Sequence, residues 1–193
     1  MQPDGIADPF RIVARGVDHK PQRHPTASIC FHPLIWALAT TVLFSHCASA
    51  LEVSRSREIE ASPAAVWAMV GGFCAIAMWH PQVKRCILSD SSEGEGETVA
   101  VRGLVTAGGL GTIVEVETER NEKAMSYSYA FVQGPLPVRA YNATISVHPT
   151  GANSTVVWTA TFDAAGMSDA EATADIEGVY DAGLAGIAKE LAK

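Results

Sequence analysis

The chain has 193 residues, with 14 Lys and Arg against 21 Asp and Glu, a formal net charge of −7. That acidic balance disfavours recognition of nucleic acid or of an anionic membrane surface by electrostatics. Its length suits one domain with a sizeable core beyond any leader.

Residues 1–50 read as a leader carrying a signal peptide. An apolar or neutral run, Leu34–Phe44, is followed by Ala48-Ser49-Ala50, with small residues at the two positions a signal peptidase reads. The run is well short of the roughly 20 residues that span a bilayer, so cleavage after Ala50 is expected and an uncleaved anchor is the alternative. This predicts an exported protein, periplasmic or secreted, with a mature domain over residues 51–193 and no membrane span in it. Without the leader, 10 basic and 18 acidic residues remain, a net charge of −8. The acids Glu115, Glu117, Glu119 and Glu122 mostly alternate along a predicted strand, and the expectation is a solvated face. Cys74 and Cys86 fall in the mature part. An exported protein permits a disulfide between them, and two buried free thiols are the equal alternative.

The first predicted strand, Leu51–Glu60, leads to Ser62-Pro63, an N-cap followed by a proline suited to a first helical turn. A short helix over Ala64–Val70 ends at Gly71-Gly72, and a second short helix is expected over Phe73–Met78 before Trp79-His80-Pro81 turns the chain. From Gln82 to Ala165 the sequence reads as strands separated by turns at Glu93–Gly96, Gly108–Gly111, Asn121–Lys123, Gly134–Pro137 and Pro149–Asn153. Three strands alternate: Val114 and Val116 against Glu115 and Glu117; Met125, Tyr127, Tyr129 and Phe131 on one face; and Val156, Trp158, Ala160 and Phe162 on another. The alternation predicts an antiparallel sheet covered on one side.

The last element reads as a long helix, Asp169–Ala192, opened by the capping box Ser168 and Glu171. Ile176, Val179, Tyr180, Gly183, Ile187 and Leu191 make one stripe, and Gly178, Ala182, Gly183, Ala185 and Gly186 keep much of the helix small. Small residues facing an aromatic-rich sheet predict a space between them that could hold a ligand.

This order of elements resembles the START/Bet v 1-like (SRPBCC) superfamily, in particular its bacterial polyketide cyclase/dehydrase-like members. The resemblance rests on Ile59–Trp67, on Met78-Trp79-His80-Pro81, on Tyr127–Phe131 running into Gly134–Val138, and on Ser154–Trp158. It implies an α+β helix-grip fold: a seven-stranded antiparallel sheet wrapped around the long C-terminal helix, with two short helices after the first strand. It also implies an apolar pocket walled by Trp79, Tyr127, Tyr129, Phe131, Tyr141, Trp158 and Phe162, and by the helix face at Ile176, Tyr180, Gly183 and Ile187.

The function expected is binding of a small hydrophobic or amphipathic molecule, lipid or polyketide-like, with no cofactor and no metal. The first alternative is a cyclase or dehydratase using His80 as acid and base, although no acidic or nucleophilic partner stands beside it in the sequence. The second is an accessory protein of a periplasmic oxidation system, with a protein partner met through an apolar patch near Leu136-Pro137-Val138. A binding protein is favoured over an enzyme. Gly108–Gly111 lacks the Lys-Ser/Thr pair and following helix of a phosphate loop and reads as a turn.

Overall fold

The computed structural model describes residues 50–93 and 97–193; the apolar run Leu34–Phe44, the residues Ala48 and Ser49, and the turn at 94–96 lie outside them. Strand β1 (Leu51–Ile59) is followed by helices α1 (Pro63–Val70) and α2 (Ile76–Trp79). Six strands then run β2 (Val83–Glu93), β3 (Glu97–Thr106), β4 (Thr112–Asn121), β5 (Ser126–Gln133), β6 (Val138–Thr150) and β7 (Asn153–Ala164), before helix α3 (Asp169–Leu191). With β1 these six strands form one 7-stranded antiparallel sheet ordered β1-β7-β6-β5-β4-β3-β2. This is the helix-grip arrangement, with α3 packed against β1 and β7 at one end of the sheet.

Local chemistry places the helices where they are. The Ser62 hydroxyl accepts from the Ala65 N–H and Pro63 occupies the first turn, so α1 starts cleanly; it ends at Gly71, whose N–H donates to the Trp67 carbonyl at 2.7 Å. At α3 the Glu171 N–H donates to the Ser168 hydroxyl while the Glu171 carboxylate accepts from the Ser168 N–H at 2.9 Å, closing the capping box. The β3–β4 turn holds Gly108 and Gly109 at φ 84° and 76°, backbone conformations that L side chains rarely adopt. The Cys74–Cys86 disulfide ties the segment before α2 to β2, with a Cα–Cα distance of 5.5 Å.

Two expectations are corrected. The acidic stretch of β4 is not a solvated face throughout. Cross-strand pairs share a face, and Arg102↔Glu115 and Leu104↔Ile113 place Glu115 inside while Val114 and Val116 take the other side. Glu115 is only 4% exposed. Glu117, partly covered, pairs with Arg120 at 2.6 Å. An irregularity between Glu117 and Glu119 then resets the alternation, and Glu119 and Glu122 are exposed.

The second correction concerns Gly183 and Gly186 of α3, which do not leave a void behind them. A Cβ on Gly183 would stand 2.7 Å from both the His80 and Trp158 rings, and one on Gly186 would overlap the Trp79 carbonyl. The glycines let the Trp79-His80-Pro81 turn lie directly on the helix.

Candidate functional site

A cavity of about 470 Å³ nevertheless lies between the sheet and the N-terminal half of α3. Its floor is Tyr129 of β5, Tyr141 of β6 and Trp158 of β7; its helix side is Ile176, Val179 and Tyr180. Leu104, Ile113 and Glu115 of β3 and β4 form a third wall, with His80 and Ile76 beside them. The turns carrying Leu110 and Pro135-Leu136-Pro137 frame its mouth, and Leu110 there is 76% exposed.

Of the residues expected at a pocket, Tyr129, Tyr141, Trp158, Ile176, Tyr180 and His80 meet at this cavity. Trp79, Tyr127, Phe162 and Ile187 are buried in the core and Phe131 packs against it, none of them on the cavity wall. Gly183 is taken up by its contact with His80 and Trp158. Alternation in a strand cannot tell a core position from a cavity position, because both face the same way. Tyr141 reaches the inner face beside an irregularity between Arg139 and Asn142, with Ala140 at φ 50°.

The cavity floor is an aromatic network. Trp158 stacks on Tyr180 with centroids 4.2 Å apart and donates its indole N–H to the Tyr129 hydroxyl at 2.9 Å. The Tyr141 and Tyr180 hydroxyls are 2.5 Å apart, and Tyr180 donates to the Thr159 carbonyl at 3.4 Å. Since a carbonyl only accepts, Tyr180 spends its proton there and Tyr141 donates to Tyr180. Burial, reinforced by the neighbouring phenols and Glu115, pushes all three hydroxyls well above the ordinary phenol range, so they stay protonated.

Sequence reading missed the ion pair behind the third wall. The Arg102 guanidinium, fully buried, donates from Nε to Glu115 at 2.6 Å and from Nη1 to the Phe73 carbonyl at 2.6 Å. It lies between the Phe73 and Tyr129 rings, 4.2 and 4.5 Å from their centroids. Burial alone would lower its pKa, but Glu115 and the tyrosines around it hold it above the ordinary value, so it remains a cation. The legible signal was one arginine inside the apolar run Val99-Ala100-Val101-Arg102-Gly103-Leu104.

His80 is held at both nitrogens: Nδ1 accepts from the Gln82 N–H at 3.2 Å, so Nε2 carries the proton and donates to the Val179 carbonyl at 3.0 Å. In this arrangement neither nitrogen is free to take a proton from a ligand. Burial lowers its pKa, against the opposing Val179 bond. A lowered folded-state value means that the folded protein binds the proton less readily than the unfolded chain. Stability from this group is therefore present above about pH 6.5 and is lost as pH falls through the folded-state pKa. Urea midpoints at pH 7.5 and 5 should fall more for the wild type than for His80→Gln; equal falls would show that His80 does not carry the effect.

The fold and cavity define a helix-grip domain with a largely apolar cavity between its sheet and its C-terminal helix. Matching the family described as Polyketide cyclase / dehydrase and lipid transport over residues 50–192, the chain belongs to that family. It is similar to the protein XoxI of Bacillus cereus, at 33% identity over 72% of this chain and 94% of that one, with a TM-score of 0.64. An uncharacterised protein of Bacillus thuringiensis is 30% identical over 74% of this chain and all of its own length, also with a TM-score of 0.64. The Zhui aromatase/cyclase of Streptomyces sp. R1128 shares the fold alone, at 17% identity and a TM-score of 0.56, over 73% of this chain and 93% of that one. No curated protein matched. Among the described residues no helix is long and apolar enough to cross a membrane.

Proposed function

We propose that this protein is an exported carrier or sensor that binds one small hydrophobic or amphipathic molecule, lipid or polyketide-like, in the cavity between the sheet and α3. The observation that carries the reading is the cavity itself: about 470 Å³, walled by Leu104, Ile113, Ile176 and Trp158, with a few polar groups converging on it. That volume falls in the range of about 300–1,000 Å³ typical of small-molecule sites. Burial of the ligand's apolar surface supplies affinity, and the polar groups set its orientation. A binding role suits the site better than acid–base catalysis, because both His80 nitrogens are already engaged. Export, with cleavage after Ala50, is supported by the signal-like leader, by a family match that begins at residue 50, and by a disulfide of the kind that persists in oxidising compartments.

Native mass spectrometry of the protein purified from its own exported fraction tests both parts. The expected result is a polypeptide beginning at Leu51 with one bound organic molecule that solvent extraction releases. Ile113→Trp, which fills the wall, should lose that adduct while remaining folded. An unoccupied protein that also fails to take up apolar probes would overturn the binding reading; a retained leader would overturn cleavage after Ala50.

A further inference from the structure

The hydrogen-bond accounting of the cavity is one-sided, and the asymmetry points to a class of ligand. Most side-chain donors around the interior are committed within the protein, the exception being the Tyr129 O–H, whose oxygen receives the Trp158 N–H. Trp158 gives its indole N–H to Tyr129, Tyr180 gives its proton to Thr159, and Tyr141 gives its proton to Tyr180. The His80 Nε2–H is spent on Val179, and the Thr106 hydroxyl donates to the Gly111 carbonyl at 2.9 Å. The Gln82 amide belongs to an exposed residue. Acceptors are left over. Glu115, at 4% exposure, has capacity beyond the bond it receives from Arg102, and a phenol oxygen has two lone pairs. No lysine or arginine is among the described residues lining the cavity.

We infer that the cavity selects a ligand that donates hydrogen bonds and carries no negative charge: an apolar body bearing a hydroxyl or amine directed at Glu115. The inference rests on the binding function proposed above and narrows its ligand. A neutral donor gains a charge-assisted bond to a carboxylate that is already desolvated. A molecule of the same shape that only accepts leaves Glu115 facing an apolar or electron-rich group. A carboxylate ligand, such as a fatty acid, would bring a second anion to Glu115 with no cation on the wall to pair it, a costly burial. Arg102 does not rescue it, because the guanidinium sits behind Glu115 between the Phe73 and Tyr129 rings.

The test is calorimetric titration of the purified protein with three molecules of similar apolar size: 2-naphthol, 2-methoxynaphthalene and 2-naphthoate. The expected order is naphthol tighter than the ether by at least about tenfold, as one hydrogen bond to a charged acceptor supplies, with naphthoate weakest. In Glu115→Gln the acceptor charge is gone and Arg102 is left without its anion. Naphthoate should then gain at least about tenfold over its wild-type affinity, provided circular dichroism shows the variant folded. If that variant does not fold, the wild-type series decides. Equal affinity for all three, or tightest binding of naphthoate, overturns the selectivity and leaves the binding function standing. Failure of all three, together with an unoccupied natural protein, overturns both.

Discussion

Replacing Glu115 by alanine is expected to destabilise the protein by about 3–5 kcal/mol, the cost of leaving a buried charge without its partner. The side chains of Arg102 and Glu115 are 0% and 6% exposed, so each charge depends on the other and not on bulk water. Arg102 cannot swing out, because Nη1 is bound to the Phe73 carbonyl and the guanidinium is enclosed by two rings. It cannot become neutral either, since guanidinium keeps its proton at any accessible pH. Nη2 already lacks a hydrogen-bond partner, so the alanine variant would strip a second nitrogen of its acceptor. Urea unfolding measures the loss, and a change below about 1 kcal/mol would show that the pair does not matter to stability. Replacing both partners together, Arg102→Met with Glu115→Leu, removes the charge along with its counterion and should recover most of the loss. Recovery would place the cost in the orphaned cation and not in lost packing.

The same pair shows what could and could not be read from residue order. The order of elements, the α3 capping box and the inward set Val156, Trp158, Ala160 and Phe162 followed from local rules, because capping and strand alternation act over a few residues. Glu115 was misplaced by the same rules. Alternation fixes which residues share a face but not which face is inside, and four acids on one short stretch favoured the wet choice. Its orientation is decided by Arg102, directly opposite across the β3–β4 hairpin. That partner becomes visible only once the turn at Gly108–Gly109 sets the register. The small face of α3 misled in another way: missing side-chain volume is open space only if the neighbouring backbone stays away. The cavity lies instead toward the N-terminal half of the helix, where Ile176, Val179 and Tyr180 line it.

That close approach carries the second large effect, at Gly186. Alanine in a helix is ordinarily favoured over glycine by up to about 1 kcal/mol. On that ground alone, Gly186→Ala should stabilise α3. A Cβ there would overlap the Trp79 carbonyl and stand 3.0 Å from its carbon, backbone atoms that no rotamer change can move aside. The Trp79-His80-Pro81 turn is fixed by the His80 N–H bonded to Ile76, by both His80 ring nitrogens, and by the Trp79 ring against Trp158 at 5.6 Å. Pushing it away strains all of these, and overpacking of this kind costs about 1–3 kcal/mol and sometimes more. The steric term should win, leaving Gly186→Ala less stable by about 2 kcal/mol and, through His80, with weakened ligand binding. Gly178 lies on the same helix with no atom near its missing Cβ, so Gly178→Ala keeps only the propensity gain and should be neutral or up to about 1 kcal/mol more stable. Chemical unfolding of the two variants side by side separates the terms. Equal stability of Gly186→Ala and Gly178→Ala would mean that the turn yields freely, and that the glycine is not what seats it on the helix.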